Sequence, residues 1–319
     1  GWSQPGQLQQ SNAWLQDRIT RSQARPATPE VVLVLADDRS IASIGRWPWR
    51  RALHAQVLRH ISAGQPQSIG LDFLLTEEDL DYPEDDLLLA HTMAASGRVV
   101  LPVVPIGGGG QEALLPLPLL AQAAAALGHT AIEPDSDGSV RRFHPWQQAT
   151  TAAGGMLWPH FTIAMQCVEH PQQAPCQRLQ RPPEAQALPP ALSLIGFASR
   201  HPPFTRYAYI DVLQGRIPSG AFRNKHVLIG SNATGVATTA VGVFSSRIAC
   251  LATAKQYVAA WHPPAAGRFL ALAWGWRMCR RLWCSMVARC RRPTARKGAR
   301  YLPFACQQPR NRRGRQKEP

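Results

Sequence analysis

Residues 31–75 constrain the fold of this chain more than any other segment. Residues 31–35 are an unbroken run of valine and leucine, which is typical of a parallel strand buried on both faces. An amphipathic helical pattern follows and ends at Gly64, and residues 68–75 form a second apolar strand. Because a crossover between parallel strands is almost always right-handed, this order predicts an α/β fold with a mostly parallel sheet and crossover helices.

The helix between these two strands has a distinctive start. Pro48 lies in a Trp-Pro-Trp sequence flanked by arginines, and proline suits the first helical position because its missing N–H has no helical partner there. We therefore place the helix start within residues 46–51. Helices and strands continue to alternate after this unit. Further helices are predicted at 85–96, 116–127, 159–170 and 207–214, and further strands at 98–105, 128–133, 192–197 and 226–230.

Charged and aromatic side chains follow the strands of the first unit. Asp37 and Asp38 come after the first strand, and Asp72 lies near the end of the second, which we expect to be its neighbour in the sheet. The carboxyl ends of parallel strands line the crevice where α/β sheets usually bind ligands, so we expect these three carboxylates at one acidic locus. The alternative is structural, with Asp38 or Ser40 capping a turn and Asp72 accepting backbone hydrogen bonds.

Trp47, Trp49 and Arg50 lie beside the same predicted crevice and are candidate ligand contacts. The tryptophans are also compatible with a core or lid position, and the arginine with solvation. Farther along, Asp137 and Arg141 lie in an acidic turn and on the strand after it, and they complete the candidate ligand-binding residues.

Four motifs occur in a fixed order within residues 13–245. The first combines Asp-Asp-x-Ser from Asp37 with Ile-Gly-Arg-Trp-Pro-Trp-x-Arg from Ile44. The others are Asp-x-Asp-Gly-x-x-Arg from Asp135, Tyr-x-Asp-Val-Leu-x-Gly from Tyr209, and Lys-x-Val-Leu-Ile-Gly-x-x-Ala from Lys225. Each motif alone is weak, but the ordered set is specific, and it resembles the CHASE sensor family, type two.

This resemblance implies a single sensor domain on the periplasmic or extracytoplasmic face of the bacterial cytoplasmic membrane. It implies a small-molecule or ionic signal, and an output domain that is a cyclase or a kinase outside this chain. It also implies membrane helices in the parent protein, and a homodimer is one open arrangement. We expect no cofactor, no metal and no catalytic residue.

An enzyme or metal-binding domain is the competing hypothesis. Asp38, Asp72 and Asp137 would then serve as metal ligands or acid–base groups. The ten histidines are scattered and include no His-x-x-x-His pair, and no nucleophile–histidine pattern is recognisable. The sequence therefore favours the sensor.

The basic charge of the chain is concentrated in its last part. The chain contains 35 lysines and arginines against 20 acidic residues, but Glu318 is the only acidic residue after position 246. Residues 247–319 also contain five of the seven cysteines, without the paired spacing of a zinc ribbon. We interpret this segment as a disordered or out-of-frame tail that binds no specific nucleic acid, residues 13–246 as the sensor domain, and residues 1–12 as a linker remnant.

The sequence also allows predictions about membrane-spanning helices and about cysteine pairing. No apolar stretch reaches the roughly 20 residues that cross a bilayer, so we expect a receptor fragment without its anchoring helices. Cys167 and Cys176 are the only cysteines before the tail. They could form one bridge, and the sequence leaves this pairing open.

Overall fold

The computed structural model describes residues 5–22, 24, 26–106, 112–132, 134–151, 154–172, 176, 193–198 and 203–233. The predicted tail at 247–319 lies outside the described residues, as does most of the proline-rich stretch after residue 172.

Seven α-helices occur among the described residues. The first is continuous through the predicted boundary at residue 12. In chain order they are α1 (Pro5–Ser22), α2 (Asp38–Ile44), α3 (Arg51–Ala63), α4 (Pro83–Ser96), α5 (Pro118–Ala123), α6 (Phe161–Glu169) and α7 (Tyr209–Leu213), with a 3-10 turn at Ser219–Phe222.

Eleven strands occur in the same described part of the chain. They are β1 (Val31–Ala36), β2 (Ser68–Leu71), β3 (Val99–Ile106), β4 (Glu112–Leu114), β5 (Ala126–His129), β6 (Arg142–Phe143), β7 (Trp146–Thr151), β8 (Gly154–Pro159), β9 (Ser193–Leu194), β10 (Thr205–Ala208) and β11 (His226–Ser231).

A nine-stranded sheet forms the centre of the fold, in the order β10-β1-β11-β2-β3-β4-β7-β8, with β5 also paired to β3. Strands β10, β1, β11, β2, β3 and β5 pair in parallel with one another, and β4 pairs antiparallel with β3. Strands β7 and β8 form an antiparallel hairpin, and β6 pairs with β9 in a separate two-stranded sheet. The predicted α/β class with a mostly parallel sheet and crossover helices is confirmed.

The expectation that β1 and β2 are neighbours is wrong. Strand β11 lies between them and pairs with both, although it comes more than 150 residues after β2 in the sequence. The β1–β2 connection is therefore a crossover that skips one position in the sheet. Strand spacing is about 4.8 Å, so the two strand axes lie roughly 10 Å apart.

The sheet is covered on both faces because successive side chains of a strand point to opposite sides. Val32 and Val34 pack with Leu58 of α3 and Leu89 of α4. In contrast, Val31, Leu33 and Leu35 pack in a second cluster with side chains of α6. The parallel strands are thus buried between α3, α4, α5 and α7 on one face and α6 on the other.

Helix α6 lies directly on the sheet. A Cβ atom added at Gly128 of β5 would lie 2.5 Å from the Phe161 Cα atom, so only glycine permits this approach. The predicted helices at 116–127 and 159–170 are both shorter in the structure, because Ala126 already pairs with β3 and Pro159 belongs to β8.

Candidate functional site

Asp37 is a helix cap. Its Oδ1 accepts hydrogen bonds from the Ser40 backbone nitrogen at 2.8 Å and from Ser40 Oγ at 2.6 Å, which starts helix α2. Ser40 is fully buried, and its Oγ in turn accepts a bond from the Ile210 backbone nitrogen. The short helix α2 was not anticipated from the sequence, although Asp-x-x-Ser is a capping pattern. Asp38 is its first residue and is exposed.

Asp72 follows β2 on the other side of β11. Its backbone nitrogen donates to the Ile229 carbonyl oxygen at 2.8 Å, which extends the pairing of the two strands by one residue. Because β11 separates β1 from β2, Asp72 and the pair Asp37–Asp38 leave the sheet from strands that are not adjacent. The single acidic locus predicted for neighbouring strands is replaced by two positions at the same edge of the sheet.

The Trp-Pro-Trp sequence packs against the core instead of starting the helix. The Trp47–Pro48 peptide is cis, and α3 begins only at Arg51. Trp49 is 4% exposed, and its Nε1 donates to the Gly45 carbonyl oxygen at 2.9 Å. Its ring lies 5.1 Å from Trp47 and 4.8 Å from Tyr209, measured between centroids. Trp49 is a core residue, whereas Trp47 is partly exposed.

A buried polar pair lies within this aromatic cluster. His54 Nδ1 and the Tyr209 hydroxyl are 2.8 Å apart, and both side chains are almost completely buried. Burial, and secondly the charge of Arg51, lower the pKa of His54 to about 3, and burial raises the pKa of Tyr209. His54 is therefore neutral at pH 7 and serves as a hydrogen-bond partner in the core.

Arg50 holds α3 against α4. Its Nε and one terminal nitrogen contact the two oxygens of Asp85 at 3.0 and 3.1 Å, and its guanidinium lies 3.5 Å from the centroid of the Tyr82 ring. Arg51 makes a parallel contact with Asp86. Asp85 and Asp86 are buried, so these pairs connect the first turns of the two helices.

Asp137 and Arg141 belong to one ion-pair cluster. Arg141 is 6% exposed and bonds to Asp17 of α1, Asp135 and Asp137 at distances of 2.6 to 2.9 Å. Hydrogen bonds from Arg141 are the main cause that lowers the pKa of each of the three carboxyls. Asp17 was not anticipated, because a contact across more than a hundred residues leaves no local pattern.

A second ion-pair cluster was also not predicted from the sequence. Asp211 of α7 accepts two bonds from Arg39 of α2, at 2.6 and 3.0 Å, and one from Arg216 at 2.8 Å. Burial raises the pKa of Asp211, but bonds from Arg216 and then Arg39 outweigh it and leave this pKa lowered. The Tyr-x-Asp-Val-Leu-x-Gly motif thus supplies a carboxylate that joins α7 to α2.

The candidate residues do not assemble into a metal centre. In the described ranges no group of three or more histidine, cysteine or carboxylate side chains could hold a metal ion. Asp37, Trp49, Arg50, Asp137 and Arg141 each make internal contacts that stabilise the fold.

Cys167 of α6 and Cys176 form a disulfide, which answers the question that the sequence left open. Both side chains are buried with Phe143, Ile163 and Ile195. The bridge thus fixes the chain after α6 onto a small apolar cluster.

Among the described residues, no helix is long and apolar enough to span a bilayer. This applies also to α1, the longest of them, whose side chains Trp14, Leu15 and Ile19 are about half exposed or more.

The model of one known family, the CHASE2 domain, matches residues 1–279 of the chain. No curated protein and no solved structure matches the chain significantly. The family match covers most of the chain and agrees with the four ordered motifs. The chain therefore belongs to the CHASE2 domain family, a family of extracellular sensory domains.

Proposed function

We propose that this chain is the sensory part of a bacterial transmembrane receptor. Its domain would lie on the extracytoplasmic face of the cytoplasmic membrane, bind a small-molecule or ionic signal, and control a cyclase or kinase output domain outside this chain. Membership of the CHASE2 family supports the sensory role. A homodimer and an anchor of membrane helices in the parent remain parts of this proposal.

The disulfide is the single structural observation that carries the extracytoplasmic assignment. Disulfides form and persist in oxidising compartments and are rare where thioredoxin and glutathione keep thiols reduced. Cys167 and Cys176 are both buried in the apolar cluster, so the bridge is part of the folded domain. Such a bridge is expected in a domain that folds after export.

The internal contacts of the polar side chains are consistent with a non-catalytic signalling role. Asp37 caps a helix, Arg50 is paired with Asp85, and Arg141 is paired with three carboxylates. Signal strength in such a receptor is limited by the difference in ligand affinity between two arrangements of the domain. We propose that the Arg141 cluster, which joins α1 to the core, connects these arrangements to the preceding membrane segment.

The enzymatic alternative needs Asp38, Asp72 and Asp137 in one site. Asp137 is instead bonded to Arg141, while Asp38 begins α2 and Asp72 follows β2. We therefore favour binding over catalysis.

The compartment can be tested by exporting the full chain. We expect the exported protein to contain the Cys167–Cys176 bridge and to lose about 2–3 kcal/mol of unfolding free energy on reduction, because a short loop is no longer closed. Chemical denaturation with and without reductant measures this loss. The Cys167→Ser/Cys176→Ser double variant is the control, since reductant should not change its stability. Free thiols at Cys167 and Cys176 in the folded, exported protein would contradict the proposal.

A further inference from the structure

A polar cleft opens at the edge of the sheet opposite to the predicted crevice. It has a volume of about 570 Å³, and its walls include Gln65, Gln67, Arg98, Glu169 and Asn224. Gln67, Arg98 and Lys225 directly precede the first residues of β2, β3 and β11. The cleft therefore lies where these parallel strands begin, whereas Asp37, Asp38 and Asp72 follow strand ends.

Three helices end at this cleft. Helix α3 ends at Ala63, α4 at Ser96 and α6 at Glu169, and residues at or just after each end line the cleft. The carboxyl end of a helix carries a partial negative charge from its aligned peptide dipoles. The three ends together favour a positively charged group in the space between them.

A carboxylate strengthens this preference. Glu169, whose side chain is 24% exposed, lines the cleft and accepts a 2.6 Å hydrogen bond from Gln67 Nε2. His170 Nε2 and His226 Nε2 lie 3.3 and 3.5 Å from the other carboxylate oxygen.

Arg98 supplies the opposite charge. Its side chain is exposed, and one terminal nitrogen donates to the Pro66 carbonyl oxygen at 2.8 Å. A guanidinium has five N–H donors in a fixed plane, so others remain to meet an anionic group. The cleft can therefore take a ligand with an ammonium group at Glu169 and, where present, a carboxylate at Arg98.

We propose that this cleft binds a small molecule with a primary ammonium group and that this molecule is the signal of the sensory domain. The proposal rests on the sensory function proposed above and names the place and chemical class of the ligand. Because Glu169 belongs to α6 on one face of the sheet, and Gln65 and Arg98 follow α3 and α4 on the other, a bound ligand joins the two helical layers.

Two ligand sources share this chemistry, and two sets of probes distinguish them. The full chain is titrated with simple amines (ethanolamine and putrescine) and with amino acids (glycine, alanine and glutamine), while calorimetry and thermal shift record binding. We expect saturable binding by at least one set and none by the same compounds with every amino group acetylated. If the signal is an amino acid, Arg98→Gln should weaken the binding of amino acids at least tenfold and leave the binding of amines unchanged. If the signal is an amine, Arg98→Gln should change the binding of neither set.

Variants beside the proposed ammonium position at Glu169 test whether the ligand binds in this cleft. Glu169→Gln removes the carboxylate and should weaken binding at least tenfold. Gln65→Lys places an ammonium group in the cleft and should abolish binding with the unfolding temperature retained. Glu112→Gln, an exposed carboxylate on β4, is the matched control and should change nothing.

Two results would overturn the proposal that this cleft binds the signal. The first is that no ammonium compound binds at millimolar concentrations, and the second is binding that both Glu169→Gln and Gln65→Lys leave unchanged. If another small molecule then binds and is released unchanged, only the assignment of the site fails and the sensory function stands. If neither a small molecule nor an ion binds at all, the proposed function also fails.

Discussion

Acidification from pH 6.5 to pH 4.5 is expected to reduce the unfolding free energy of the described domain by at least about 5 kcal/mol, because burial keeps several of its histidines from binding protons. Burial lowers the pKa of both His54 and His160 to about 3, with smaller contributions from Arg51 and His144 respectively, and burial lowers the pKa of His129 in the same direction. The ordinary histidine value is 6.5. Between pH 6.5 and about 3, the unfolded chain therefore binds protons that the folded domain excludes, and stability falls as the pH falls.

Each of these histidines contributes a slope of roughly 1.4 kcal/mol per pH unit in that range. The lowered pKa values of Asp17 and Asp135 act at more acidic pH: their stabilisation is complete above the ordinary value of 3.8 and is lost as the pH falls below it. Since domains are usually stable by roughly 5–15 kcal/mol, the histidine effect alone brings this one close to unfolding near pH 4.5.

Guanidinium unfolding at half-unit steps of pH measures this slope. His54→Gln keeps a hydrogen-bonding group near Tyr209 and should reduce the slope by about 1.4 kcal/mol per pH unit, because one buried histidine is removed. His91→Gln is the matched control, since His91 is exposed on α4. A slope that His54→Gln leaves unchanged would show that His54 is not held neutral by burial.

Trp49→Ala is expected to reduce the unfolding free energy by about 3–5 kcal/mol, the usual cost of deleting a buried tryptophan. The indole is 4% exposed, and its removal leaves a cavity between Trp47 and Tyr209 and frees the Gly45 carbonyl oxygen. Trp14→Ala on α1 is the control. Because Trp14 is 63% exposed, its replacement should change stability by less than about 0.5 kcal/mol. A loss below about 1 kcal/mol for Trp49→Ala would be inconsistent with a core role.

The parallel part of the fold was predictable because its signals are local. The unbroken apolar run of β1, the amphipathic pattern of α3 and the glycine that ends α4 are each visible in a short window of sequence. In contrast, the position of β11 between β1 and β2 depends on pairings between distant residues, which no local pattern encodes.

The β7–β8 hairpin was missed for a different reason. Strand β7 reads Trp-Gln-Gln-Ala-Thr-Thr, with polar residues that do not alternate regularly with apolar ones. Its buried residue Ala149 packs with Val103 and Trp158, so the strand is defined by neighbours from other segments.

The candidate site was predictable as a set of chemically active residues but not as an arrangement. Asp137 and Arg141 were correctly linked to one motif, yet their partner Asp17 comes from α1. Likewise Arg50 looked available for a ligand, whereas Asp85, 35 residues later, binds it. Ion pairs of this kind depend on how helices pack, and sequence spacing does not determine that packing.

Ligand retention without chemical conversion is the most direct test of the sensory account. The full chain is incubated with a defined mixture of amines, amino acids, sugars and organic acids, and mass spectrometry then quantifies both the mixture and the compounds that denaturation releases from the isolated protein. We predict that a compound is retained in proportion to the protein and released unchanged. Conversion of any compound in large excess over the protein, with loss of this activity in Asp38→Asn, would contradict the account and identify an enzyme.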